Sequence, residues 1–465
     1  MLLRLFLIAS VLFQSVLLKK VQVYLTTGDQ SKKLSQEADL YPSNSNGRQI
    51  HIDRYRRYQT MEGFGAAMTN SAAFVIYHSS KRQEIMQHLF SNTSGIVISY
   101  IRLTMGGSDF MAVPPYTYDD LPQGVNNDFN MDYFDISKDR AFVIPMLKQA
   151  RSINPNLKII ATPWSAPSWM KTTNSLYGGD FRGESQYQQA YSKYFVKFIQ
   201  AYKSEGVEIN AITIQNEPLN NQNGYPTMYM SSQIQRDLIK YHLGPEFRKN
   251  NINTKIIIYD HNWDHPEYPG DILNDQTAAQ YVSGVGWHCY GGDATEPGNF
   301  HASHPNIDIY HTECSGGDWA NNFSDNLVWN MDNLFIQQPH NWAKTVLLWN
   351  LALNENHGPQ VQVGGCHGCR GVLTVHSGSG QYESEVEYYV IGHLSKVVQP
   401  GAVRIESTDK VGDFRSVAFQ HKDGTIAIIV LNKASHSNSF SLNIDGSHYN
   451  YNLPAKSVAS FLYSY

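Results

Sequence analysis

The stretch AITIQNEPLN, residues 211–220, runs apolar and uncharged through Ala211, Ile212 and Ile214, then delivers Asn216, a carboxylate at Glu217 and a stop at Pro218. Its β-branched residues read as a short buried strand. The proline ends that strand, so Glu217 is presented to solvent from a rigid support. The same pattern recurs outward in both directions. Upstream stand GFGAA (63–67), IVISYIRLT (96–104) and LKIIATP (157–163). Downstream stand TKIIIYD (254–260), GVGWHCY (284–290), IDIYHTE (307–313) and TVLLWN (345–350). Amphipathic stretches such as AFVIPMLKQARSI and SKYFVKFIQAYKSEG lie between them. Eight strands alternating with helices predict an α/β fold, a (β/α)8 barrel rather than an open sheet, over residues 59–395.

After about residue 396 the pattern changes to alternating runs. FRSVAFQHKDGTIAIIVLNKA is two such runs joined at Lys422-Asp423-Gly424, a hairpin signal. The tail 396–465 reads as a small β-sandwich. Residues 19–58 are too few for a domain, and their strand-like QVYLTT and RQIHIDR are expected to complete that sandwich from the other end of the chain. The first 18 residues place Arg4 before an apolar run that is broken by Ser10, Gln14 and Ser15. That run is too short and too polar to span a bilayer comfortably and reads as a signal peptide. No other stretch is long enough to cross a membrane. Sequons at Asn92-Thr93-Ser94 and Asn322-Phe323-Ser324 fit the same secretory route, ending outside the cell or in the lysosome.

Composition narrows the partners. With 42% hydrophobic and 17% charged residues and a net charge of −5, nothing is basic enough to seek a phosphate backbone, so no nucleic acid is expected. The 29 Tyr, 20 Phe and 8 Trp suit either a large core or flat faces for sugar rings. Cys366 and Cys369, in the Gly-rich GGCHGCRG, read as a short disulfide staple. A zinc site would want four soft ligands, and only His367 is adjacent. Cys289 and Cys314 read as free, buried thiols. No metal or other cofactor is called for.

A (β/α)8 barrel carries its active site at the carboxyl ends of its strands. Strand 3 ends in Trp164, strand 4 in Asn216-Glu217, and strand 5 in Asp260-His261-Asn262-Trp263. Strand 6 ends in His288-Cys289-Tyr290, strand 7 in His311-Thr312-Glu313, and strand 8 in Trp349-Asn350. Paired carboxylates are the machinery of glycoside hydrolysis, one protonating the leaving oxygen while the other attacks the anomeric carbon or activates water. Strands 4 and 7 lie three apart in a ring of eight, which favours the short separation, about 5–5.5 Å, of a retaining enzyme. Asn216 beside one carboxylate suits a sugar 2-hydroxyl. Asp260, His261 and Asp264 read as a polar rim network rather than a metal site, because no matching ligands stand on a neighbouring strand. His311 reads as a satisfied core or supporting histidine. Trp169 and Trp319 suit the cleft and the rim equally.

These residues also carry a family resemblance. EGFGAAMTNSAA (62–73), YIRLTMGGSDF (100–110), YTYDDLP (116–122), ATPWSAPSWMKT (161–172), IQNEPLNNQNGYP (214–226), HTECSGG (311–317), LLWNLALN (347–354) and IGHLSKVVQPGAVRI (391–405) resemble glycoside hydrolase family 30, the family of lysosomal glucosylceramidase. The resemblance runs from about residue 55 to the C-terminus. It implies a barrel with a β-sandwich built from both chain ends, and retention by double displacement. By the same resemblance Glu217 is the acid/base and Glu313 the nucleophile. Asn216, Trp164 and Trp349 become sugar contacts, while Arg102, Tyr225 and Tyr290 support the carboxylates, with His288 beside them. Asn70 stands where glucosylceramidases carry an Asp that grips glucose hydroxyls; an amide still bonds, but a charge-assisted bond is roughly twice as strong. Cys289 replaces a tryptophan, and GGCHGCRG resembles other branches, including those that cleave β-1,6-glucans. Glucosylceramide is the first expected substrate, with possible contact to a lipid surface or activator protein. A β-1,6-glucan is the second. An inactive sugar-binding module is the remote third, opposed by the intact carboxylate pair.

Overall fold

The computed structural model describes residues 19–464, so the signal-peptide reading of residues 1–18 lies outside the described residues. Eight parallel strands close into a barrel: β1 (Gly63–Met68), β2 (Tyr100–Thr104), β3 (Lys158–Thr162), β4 (Ala211–Thr213), β5 (Lys255–Asn262), β6 (Val282–His288), β7 (Asp308–Glu313) and β8 (Ala343–Asn350). Each pairs with the next, and β8 with β1. The strands are covered on both faces, which is why they read as continuous apolar runs rather than alternating ones. Tyr100, Ile160, Ala211, Ile257, Tyr310 and Leu347 form a cluster of their own within the ring. Gly65 in β1 is required by close approach, because a Cβ there would sit 2.0 Å from the Tyr100 carbonyl oxygen.

Helices wrap the ring. The longest, Ser185–Ser204, buries Tyr191, Tyr194, Phe195, Phe198 and Tyr202, the one-sided spacing of a core-facing helix. Tyr100, Tyr118, Tyr259, Tyr310 and Tyr463 are fully buried as well, so much of the tyrosine content serves the core. Among the described residues no helix is long and apolar enough to cross a membrane.

Two strands fall well short of the expected stretches. In 96–104 only Tyr100–Thr104 is strand, because Val97 takes a left-handed φ of 58° and the N–H groups of Ile96 and Ile98 donate to the carbonyls of His88 and Leu89 on the preceding helix. In 211–216 the strand stops at Thr213. A small sheet of Ala352–Leu353, Leu373–Val375 and Tyr382–Ser384, which follows β8, has no counterpart in the sequence reading.

The sandwich draws on both chain ends. Val21–Thr26 pairs with Ser457–Tyr463, and the long strand Arg48–Thr60 pairs with Val403–Ser407 on one side and Asn438–Ile444 on the other. Phe414–Gln420 and Ile426–Asn432 form the hairpin expected around Lys422-Asp423-Gly424. Val23, Ile50, Ile428, Phe440 and Phe461 belong to its separate core. The barrel and sandwich are tied by polar contacts: His393 is bonded between Ser460 (2.7 Å) and Thr26 (2.8 Å), and Arg415 donates to Asp332 at 2.6 Å.

Candidate active site

The carboxyl ends of β4 to β7 converge on one buried network. Asp260, near the end of β5, is at its centre and fully buried. Its Oδ1 accepts from Thr312 Oγ1 (2.6 Å) and lies 3.1 Å from His288 Nε2; its Oδ2 accepts from Arg102 Nη2 (2.9 Å) and Thr213 Oγ1 (2.7 Å). Arg102, buried under the floor from β2, also donates to Asn216 Oδ1 (2.7 Å) and to Glu313 Oε2. Tyr290 Oη donates to Glu313 Oε1 at 2.8 Å. Arg102 gathers both acids because its planar fork carries several donors in a fixed geometry.

The backbone here is strained. Tyr259 and Asp260 have φ of 71° and 65°, at the point where the pairing of β5 with β6 shifts register, and Glu217 has φ of 45°. Left-handed backbone at such residues costs roughly 1–3 kcal/mol each and persists where the surroundings hold it. At Glu217 the hold includes its N–H, which donates to the Asp260 carbonyl at 3.0 Å. This corrects the reading of Pro218: Glu217 does not ride on the strand, which ends four residues earlier. It is aimed by a left-handed turn pinned to β5, and its side chain keeps only 14% of its exposure.

One oxygen of Glu217, one of Glu313 and a nitrogen of His288 lie within 4.8 Å of one another. Among the described residues this is the cluster with metal-ligand spacing, yet its atoms already have partners. His288 bonds Glu217 through Nδ1 (3.1 Å) and Asp260 through Nε2, and Glu313 is held by Arg102 and Tyr290. Two carboxylates so close cannot ionise independently. Burial opposes ionisation of Glu217, but the hydrogen bond and charge of His288 outweigh it and hold the carboxyl down at about 2. Burial also opposes a charged His288, and the surrounding carboxylates, Glu313 foremost, outweigh that and raise it to about 9. Glu313 lies above its ordinary value, because burial and the Glu217 charge exceed the pull of His288 and Arg102. Once Glu313 is ionised, one proton remains in the cluster, on His288. The 3.1 Å bond between His288 and Glu217 is the contact along which that proton can pass.

The sign of the pH dependence follows. With Glu313 as nucleophile and Glu217 as acid/base, the roles expected from the resemblance, protonation of Glu313 at low pH blocks attack, and loss of the His288 proton at high pH removes the one Glu217 is to deliver. The profile of kcat/KM should be a bell, with its acid limb above the ordinary carboxylate value and its alkaline limb near 9. In His288→Asn the alkaline limb should move down by more than about one unit, since Glu217 loses its proton store. An unmoved limb would remove His288 from the proton inventory.

Above the carboxylates is a cavity of about 440 Å³. Trp164 and Trp349 line it and stack on each other at 5.1 Å, with the Arg102 guanidinium 4.8 Å from the Trp164 ring centre. Asn216, Tyr225 and Tyr290 line it too, so the structure brings those expected residues together. Asn70 is the exception. It is buried as the first residue of the helix Asn70–His78, its Oδ1 accepts from the Ala112 N–H at 2.9 Å, and it does not line the cavity.

Two lining residues escaped the sequence reading. Asp109 lies five residues past β2, in GGSDF, and extending the strand-end rule to strand 2 would have exposed it. Burial, with the Glu313 charge added, pushes its carboxyl up to about 8. Asn220, in NEPLN, donates from Nδ2 to Glu217 Oε2 (3.0 Å) and Tyr225 Oη (3.1 Å).

The remaining expectations divide. Trp319 lines the cavity, whereas Trp169 is buried in the core with its Nε1 donating to Asp119 at 2.9 Å. His311 is buried but lacks a hydrogen-bond partner at either ring nitrogen, and burial keeps it neutral, at about 3. Asp260 and His261 belong to the rim network or the cavity wall, and Asp264 stands aside near His265. Cys366 and Cys369 form the expected staple and line the cleft. Cys289 and Cys314 are not free thiols: they are bonded to each other. They are 25 residues apart in sequence, but each follows the last residue of β6 or β7, and these strands are neighbours, which brings their Cα atoms to 5.4 Å.

Comparison with known proteins agrees with this geometry. Residues 61–398 match the model of the glycosyl hydrolase family 30 TIM-barrel domain, and residues 401–461 match that of the family 30 beta sandwich domain. The chain is 37% identical over 425 residues to endo-1,6-beta-D-glucanase BGN16.3 of Trichoderma harzianum, covering 87% of this chain and 84% of that one. A solved structure, the endo-beta1,6-glucanase BT3312, superposes with a TM-score of 0.88 at 35% identity, covering 96% of this chain and 100% of that one. Identity to the lysosomal acid glucosylceramidase of Mus musculus is 29% over 416 residues, covering 82% of this chain and 76% of that protein.

Proposed function

We propose that this chain, which belongs to glycoside hydrolase family 30 in both its barrel and its sandwich, is an endo-β-1,6-glucanase. At the coarser level it is a retaining β-glycosidase, consistent with carboxylate oxygens within 4.8 Å. In our reading the sugar to be cleaved stacks on Trp164 and Trp349, with Asn216 at its 2-hydroxyl and Asp109 at another hydroxyl. Glu313 attacks the anomeric carbon while Glu217 gives its proton to the leaving oxygen, and a glycosyl ester forms on Glu313. Glu217, now a carboxylate, then takes a proton from water as that water attacks the same carbon. The Glu313–sugar bond breaks and both residues return to their starting states.

The choice of β-1,6-glucan rests on one observation. The two endo-1,6-glucanases resemble the chain at 37% and 35% identity, against 29% for the glucosylceramidase. Cys366 and Cys369 of GGCHGCRG, the loop that resembles branches cleaving β-1,6-glucans, are bonded to each other and line the cleft. Glucosylceramide therefore becomes the second reading, and the lipid-surface or activator contact goes with it. We also place the enzyme in the secretory route, since both of its disulfides suit an oxidising compartment.

The test is a hydrolysis screen over a linear β-1,6-glucan, glucosylceramide in detergent micelles and an aryl β-glucoside. The glucan should be shortened to a ladder of oligosaccharides at the highest catalytic efficiency of the two natural substrates. Faster release of glucose from glucosylceramide would overturn the proposal.

A further inference from the structure

A second cavity, of about 410 Å³, opens beside the catalytic one, and the two share Tyr290 and Trp319 as a common wall. It is lined by the Cys289–Cys314 disulfide, by Ser315 and Gly316, and by the helix Phe323–Asn330, which supplies Trp329. Trp319 is 62% exposed and Trp329 45%, large apolar surfaces that the fold leaves in water next to its reaction centre.

Trp319 is exposed but not loose. A Cβ on Gly317 would lie 2.2 Å from its ring, so the indole rests directly on that glycine. Gly317 forms a β-bridge with Cys369, and the Asp318 N–H donates to the Gly368 carbonyl at 2.9 Å. The stapled loop thus clamps the segment that carries Trp319. An aromatic ring already ordered by the fold loses little entropy when a ligand covers its free face.

The direction of the leaving group follows from the catalytic cavity. Trp164, Trp349 and Asp109 come from the ends of β3, β8 and β2, on one side of the carboxylates. Tyr290 follows β6 on the other side, and Trp319, after Glu313 on β7, stands with it at the border between the two cavities. A sugar held on the first side for attack by Glu313 sends its leaving group past the second, into the neighbouring cavity. We infer that this second cavity is the leaving-group subsite, where Trp319 and Trp329 stack on glucosyl units on the reducing-end side of the scissile bond. The inference rests on the glucanase reading and deepens it. A 1,6 linkage adds a rotatable bond per residue, which lets the chain turn around Tyr290 from one cavity into the next.

Trp329→Ala is the probe, because Trp329 lines the second cavity and not the first. For each protein, catalytic efficiency on gentiotetraose is divided by that on an aryl β-glucoside, whose leaving group offers no sugar to the subsite. The ratio should fall about tenfold in Trp329→Ala, and Trp329→Phe, which keeps a ring and guards against a folding defect, should fall less. Wild-type cleavage of the glucan with an unchanged ratio in both variants would overturn the subsite and leave the glucanase reading standing. A wild type unable to cleave β-1,6-glucan would overturn both. Loss on glucosylceramide with none on gentiotetraose would assign the cavity to a lipid and overturn the inference.

Discussion

Glu313→Gln should abolish turnover, by roughly four orders of magnitude or more, while leaving the fold intact. The amide keeps the size of the carboxylate and can still accept from Arg102, so the buried network retains its shape. It cannot form the glycosyl ester, and no other carboxylate on that side of the cavity is placed to replace it: Asp260 is buried and fully engaged by Arg102, Thr213, Thr312 and His288. A fluorosugar that traps the intermediate should label the wild-type peptide containing Glu313, and mass spectrometry of the digest reads the site directly. Label on another peptide would reassign the nucleophile.

Glu217→Ala should separate substrates by their leaving groups. Those with poor leaving groups should lose about 10²–10⁴-fold in kcat, the usual worth of a positioned acid, and activated aryl glycosides far less. Added azide should restore turnover of the aryl glycosides and yield a glycosyl azide of retained configuration. The small anion occupies the space of the missing carboxylate and needs no general base. Equal losses on both substrate types, with no response to azide, would remove Glu217 from the acid/base role. The His288 pairing adds a further readout. With Glu217 gone, His288 keeps only its Asp260 partner, so the alkaline limb near 9 should no longer report proton delivery.

Much of this molecule was legible before any coordinate. The barrel follows from eight uncharged strand runs separated by helical spacing. Reading only their carboxyl ends isolates Glu217, Glu313, Trp164, Asn216, Tyr290 and Trp349, all of which line one cavity. What the local reading could not place was each residue's neighbours. Asn70 sits in a motif that suggests a sugar contact, but Thr69 caps the helix that begins there, and the Asn70 amide oxygen is used by Ala112. Asp109, which does line the cavity, lies five residues past the end of β2, where the same strand-end rule extended to strand 2 finds it.

Sequence by itself determined the alternation of strand and helix, the carboxylate pair and the hairpin of the tail, because each depends on side-chain type and spacing along a few residues. Only tertiary structure decided what depends on strands distant in sequence becoming neighbours. The Cys289–Cys314 bond exists because β6 and β7 pair in parallel register. Arg102 reaches Asp260 and Glu313, 158 and 211 residues away along the chain, because ring closure brings three strand ends under one guanidinium. The protonation pattern of Glu217, His288 and Glu313 is likewise a property of the closed ring. No spacing in the sequence encodes it, since burial and mutual charge act through space and fall off over a few ångströms.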